Sequence, residues 1–165
     1  MYQLARPLFI LALVVSAILI GATIDQLPVQ IASHFGAGGV PNGWMSRNGY
    51  LLFMLAFAVG MPLSVVLGMG VLTRGQARAI NIPNRDYWLA PVRRGATLRF
   101  LAAHACWLGS LLTVFIAAIH LLLIAANATQ PPQLPLRPFI MLMAVFMLGM
   151  GLWAVTLMLH FRRVP

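Results

Sequence analysis

Four long apolar runs constrain this chain more than anything else in it. They cover about Pro7 to Ile24, Gly49 to Leu72, Leu98 to Ala126 and Phe139 to His160. A helix needs roughly 20 apolar residues to cross about 30 Å of hydrocarbon, and these runs have that length. Transmembrane strands would alternate in segments of about ten residues, and these runs do not alternate. The expected fold is therefore all-α, a four-transmembrane-helix bundle with a short ordered outer loop after the first helix. It forms one integral membrane domain over residues 1–165, with helices at about 7–24, 49–72, 98–126 and 139–160. Composition argues against a soluble alternative. Sixty-one per cent of residues are apolar and 8% are charged, against roughly 45–50% and about 25% in soluble domains. A domain this small keeps too much surface exposed to hide that excess from water.

Arg6, just before the first run, raises the question of a cleaved signal peptide. The run is long for a signal peptide, and Ile20-Gly21-Ala22 is a poor cleavage site, so an uncleaved helix is expected. The net charge is +9, with eleven Arg, no Lys and two acids. Such a charge can mark a nucleic-acid partner. Here the arginines lie beside the apolar spans, so a bilayer with anionic headgroups is the expected partner and nucleic acid is not. Arg6, Arg74, Arg78, Arg85, Arg93, Arg94, Arg99, Arg162 and Arg163 fall on one side of four spans, and only Arg47 and Arg137 on the other. By the positive-inside rule both termini are cytoplasmic, in a multi-pass protein of the bacterial inner membrane. Cys106 is alone and forms no internal disulfide.

Small residues let helix backbones approach in lipid. Gly60, Ser64 and Gly68 recur on the second helix, Gly109, Thr113 and Ala117 on the third, and Ala17 and Gly21 on the first. They are expected to line the inside of the bundle, a homo-oligomer seam being the alternative. Pro62 removes one backbone bond and predicts a kink.

The first outer loop, about Asp25–Asn48, is the most informative stretch. Pro28 is expected to start a helical turn that lays Leu27, Ile31 and Phe35 along the membrane surface. Gly36, Gly38 and Gly39 permit unusual backbone angles. Pro41-Asn42-Gly43 is a turn signal, and Trp44 and Tyr50 suit the interface. His34 admits two readings. Paired with Asp25, it is a ligand contact, a metal site or a switch, since an unshifted His titrates near pH 6.5. Alternatively it anchors the loop. A zinc site needs three or four ligands, and the loop has no Cys and no second His, so no metal or other cofactor is expected.

The cytoplasmic segment INIPNRDYWLAPVRR holds Asn81, Pro83, Asp86, Tyr87, Trp88, Arg93 and Arg94. Asn84 or Asp86 is expected to cap a short helix, with Tyr87, Trp88 and Leu89 at the interface. Arg93 and Arg94 then meet lipid phosphates, and Asp86 pairs with an arginine. Membrane anchoring and docking of a partner are both open. His104 and His120 lie 16 residues apart, roughly 24 Å along a helix, and cannot share one ligand. His120 suits an interhelical hydrogen bond. No span carries a carboxylate, and no nucleophile–base arrangement, phosphate loop or carboxylate pair is visible. The chain is therefore read as not an enzyme.

LPVQIASHFGAGGVPNGWMSR and NIPNRDYWLAPVRR together resemble the signatures of a bacterial membrane family catalogued mainly as a domain of unknown function. The family is related to the N-terminal unit of the Sdp-type immunity protein. The resemblance covers roughly Leu27 to Arg94. It implies that Leu27, Pro28, His34, Phe35, Gly39, Pro41 and Trp44 belong to the family signature, with Asn81, Pro83, Tyr87 and Trp88 in a second motif. Together with Asp25 and Asn42, taken from the loop itself, Pro28, His34, Phe35, Gly39, Pro41 and Trp44 make up the candidate recognition loop. Ala32 stands where the family often has Pro. The implied function is recognition, or an immunity- or signalling-like role, through the outer loop. A structural accessory subunit of a larger membrane complex and a small transporter are the alternatives. The first two admit a membrane protein partner.

Overall fold

The structure is a computed structural model and describes residues 2–74 and 80–162. Arg78 and Arg163, two arginines of the orientation argument, lie outside the described residues. Among the described residues four helices are long and apolar enough to cross a membrane, and the chain is a multi-pass membrane protein. Helix α1 spans Tyr2–Thr23. A hairpin of strands β1, Gln30–Phe35, and β2, Pro41–Ser46, follows it. Helix α2, Arg47–Leu55, continues through a π-helical turn at Ala56–Gly60 into α3, Met61–Arg74. A short helix α4, Arg85–Trp88, precedes α5, Pro91–Asn127, and α6, Leu136–Arg162.

The widened turn accounts for the proline of the second span. Pro62 has no N–H to give to the carbonyl four residues earlier, and the π turn sits directly before it, where such bulges relieve an interrupted helical ladder. Pro62 itself is fully buried.

Helix α5 is the centre of the bundle. Its 37 residues extend about 55 Å, well beyond the hydrocarbon. Pro91 begins it at a position where a missing N–H costs nothing. Helices α1 and α3 pack on α5, and α6 lies along another side of it. Gly109 sets the closest approach. A Cβ there would stand 2.6 Å from the Phe9 ring and 2.7 Å from Val66 Cγ2.

The small-residue expectation holds on α5, where Gly109 and Thr113 are buried. It fails on the second span. Gly60, Ser64 and Gly68 are exposed, and a Cβ on either glycine would meet nothing within 4 Å. Gly21 on α1 likewise faces outward. The reason is which face α5 takes. It packs against Ala58 and Val66 of the second span, on the face where Pro62 is also buried, and the glycine stripe is turned away.

The hairpin corrects the expected helical turn after Pro28. Residues 30–35 are a strand, and Leu27 and Ile31 are buried and Phe35 half-buried within the protein instead of lying along the membrane surface. A spacing of four is also a multiple of the strand period of two, so the same apolar residues satisfy either element. The chain reverses at Gly36–Val40, where Gly38 and Gly39 have φ of 75° and 77°. Pro41-Asn42-Gly43 is thus not the turn but the start of β2. Ile31 pairs with Met45 and Ala32 with Trp44, with bulges flanking His34.

Candidate functional site

The two ends of the bundle differ in chemistry. At the hairpin end, strand alternation sorts the side chains. Ile31, Phe35 and Met45 pack on a cluster containing Ile20, Leu27, Tyr50 and Leu123. His34, Asn42, Trp44 and Ser46 are exposed on the other side, with Trp44 50% exposed. This is a region where apolar surface meets water, so burying a residue such as Ile31 stabilises by about 1.5–3 kcal/mol. Inside hydrocarbon no such term operates between helices.

Polar clamps then hold the hairpin to the helix ends. Asn127, the last residue of α5, accepts from the Ala32 N–H at 2.8 Å and donates to the Ala32 carbonyl at 3.0 Å. Its amide thus stands in for a neighbouring strand. Arg47 donates its backbone N–H to Val29 O at 2.9 Å and pairs with Asp25 at 3.1 Å. Leu134, in the connection between α5 and α6, donates to Gly39 O at 3.0 Å. A Cβ on Gly39 would lie 2.7 Å from the Leu134 carbonyl, so only glycine admits that contact. Gly43 has a similar role, since its Cβ would stand 2.9 Å from that of His34.

Asp25 therefore does not orient His34. The carboxylate goes to Arg47, and His34 Nδ1 donates to Asn42 Oδ1 across the hairpin. The strand register brings 34 and 42 together, whereas a helical turn would have left His34 nearer to Asp25. Pro28 lies exposed ahead of β1, and Pro41 opens β2 opposite Phe35.

Below the hairpin lies a buried polar chain. His120 is fully buried. Its Nε2 lies 2.8 Å from Thr23 Oγ1 and its Nδ1 2.8 Å from the Tyr50 hydroxyl. The Thr23 hydroxyl proton goes to Leu19 O at 2.6 Å, so Thr23 can only accept from the ring. Nε2 carries the proton, and Nδ1 of the neutral ring accepts from Tyr50. The chain ties α1, α2 and α5 together. The interhelical hydrogen bond expected of His120 is present, but Tyr50 belongs to this core and not to the interface. Sequence reasoning overlooked Thr23, Tyr50 and Asn127 as partners. Their only signal is a polar group at the end of an apolar run.

At the arginine-rich end the second motif is a cap for α6. Asn84 donates to the Phe161 and Arg162 carbonyls at 3.0 and 3.2 Å, and Trp88 Nε1 to Phe161 O at 3.1 Å. The C-terminal carbonyls of a helix have no partners within it, and here the loop supplies them. Asn84 precedes α4 but does not cap it with its side chain, and it has φ 51°, a conformation Asn tolerates. Asp86 pairs with Arg85 at 3.4 Å. Arg93 lies 3.9 Å over the Tyr87 ring, while Arg94 is exposed. Asn81 is exposed and Pro83 half-buried at the entry to α4. His104 and Trp153 exchange hydrogen bonds with each other's carbonyls at 3.0 and 2.9 Å, joining α5 to α6.

Residues 8–59, covering most of α1, the hairpin, α2 and most of the π turn, match a domain of unknown function (DUF1648). An uncharacterized protein of Archaeoglobus fulgidus is 26% identical over 137 residues, covering 74% of this chain and 69% of that protein. No solved structure matches. The matched segment contains the hairpin signature and stops short of the second motif.

Proposed function

We propose that this is a non-enzymatic membrane protein that recognises a partner outside the cytoplasm through the exposed side of its hairpin. The observation that carries the reading is the placement of His34, Asn42 and Trp44 on one exposed side of a hairpin whose other side is docked. A half-exposed Trp beside polar groups is the kind of anchor on which binding energy concentrates. A surface held by clamps loses little conformational freedom on binding. The resemblance to the N-terminal unit of the Sdp-type immunity protein points the same way, toward an immunity- or signalling-like role with a peptide or envelope component as ligand. The test is gentle purification from the native membrane and identification of what accompanies the protein. Trp44→Ala and His34→Ala are expected to keep the thermal stability of the parent in detergent and to lose that partner. His34→Gln, which keeps a hydrogen-bonding group, is expected to retain part of the binding. A well-folded Trp44→Ala/His34→Ala protein that keeps its partner overturns the reading.

A second reading, an accessory subunit, draws on the outward Gly60, Ser64 and Gly68 stripe of the second span. It predicts that Gly60→Leu with Gly68→Leu releases a membrane partner while the hairpin variants do not.

A further inference from the structure

The arginine-rich end holds a pocket of about 280 Å³ between the start of α5 and the end of α6, lined by Trp88, Arg93, Thr97, Arg99, Phe100 and His160 among others. Its chemistry is asymmetric. Two arginines line it, and neither of the chain's two acids does. Asp25 is at the hairpin end, and Asp86 is engaged with Arg85. The rest is an aromatic wall. Phe100 and His160 stack with ring centroids 3.8 Å apart, and Trp88 lies 5.0 Å from His160. The wall is held in place from behind, since Trp88 is bonded to Phe161 O and its carbonyl accepts from the buried Thr97 hydroxyl at 2.8 Å. Arg93 is steadied by the Tyr87 face.

We propose that this pocket binds the headgroup of an anionic phospholipid, its phosphate held by Arg93 and Arg99. Guanidinium presents paired N–H groups that match phosphate oxygens, and it tolerates a partly dry setting better than an ammonium. Basic pockets between helices at a membrane surface suit such headgroups. Size favours a headgroup over a whole lipid, because the pocket's volume of about 280 Å³ falls just below the range of about 300 to 1,000 Å³ usual for small-molecule sites. The acyl chains then lie outside, against the last turns of α6, where Val155, Met158 and Leu159 are about half exposed. The position of α5 makes the site: its first turns run beyond the hydrocarbon and carry Arg93 and Arg99 to headgroup depth.

Native mass spectrometry of the purified protein with added phosphatidylglycerol or phosphatidylcholine of matched chains tests this. The parent should retain phosphatidylglycerol in preference. Arg93→Gln with Arg99→Gln should weaken that preference by roughly fivefold per guanidinium. Arg162→Gln, at the same end but outside the pocket lining, should leave it unchanged. Arg93→Lys with Arg99→Lys keeps the charge and should fall between, which gives a reading if the neutral pair fails to fold. Inorganic phosphate at millimolar concentration should not displace the lipid. Equal retention of both lipids, an equal loss in Arg162→Gln, or full displacement by inorganic phosphate overturns the assignment.

Discussion

His120 has two ring nitrogens on a fully buried ring, and two hydroxyls meet them. That match predicts an asymmetry. Tyr50→Phe removes the donor to Nδ1 and leaves a buried acceptor unpaired, which costs about 1–3 kcal/mol. Replacing Tyr50 by Phe and His120 by Leu together removes both partners, and Thr23 keeps its bond to Leu19. The double variant should therefore lose less stability than the two single losses added, read as thermal unfolding in detergent. Strict additivity would contradict the directional chain. A polar ring near the end of an apolar run was legible as an interhelical bond, because hydrocarbon penalises an unpaired polar group. Its partners were not legible. Tyr50 sits where an interfacial Tyr also would, and only the packing of α2 on α1 decides between them.

The hairpin is the element where local pattern and tertiary structure part company. Leu27, Ile31 and Phe35 were legible as one apolar set, expected along the membrane surface, but their spacing fits a helix and a strand alike. The docking against Asn127, 95 residues away from Ala32, is not local information. Asn127→Ala leaves the Ala32 N–H and carbonyl without partners, so amide exchange across Gln30–Phe35 should accelerate while the interior of α5 stays protected. Ala32→Pro should act in the same direction, since Pro has no N–H to give to Asn127. Unchanged exchange in Asn127→Ala would show that apolar docking of Ile31 and Met45 holds the hairpin without the amide clamp. The π turn is a milder case. Pro62 made an irregularity legible, but not that the ladder would widen before it, nor that α5 would take the other face and leave Gly60, Ser64 and Gly68 outward.

For the whole molecule, the four spans were legible because length and hydropathy alone decide whether a helix suits a bilayer. The central position of α5 was not. It depends on Gly109 admitting Phe9 and Val66 together, a three-body fact that no single helix carries. The arrangement separates an arginine-rich end from a hairpin end, and the proposed recognition requires the hairpin to face away from the cytoplasm. Cys106 is buried and gives a quiet background for thiol labelling. The direct measurement is labelling of intact cells with a membrane-impermeant maleimide, using Gln30→Cys on the exposed side of β1 and Arg162→Cys at the end of α6. The account predicts that Gln30→Cys labels in intact cells and that Arg162→Cys labels only after the membrane is opened. Labelling of Arg162→Cys but not Gln30→Cys in intact cells would place the hairpin in the cytoplasm and contradict it.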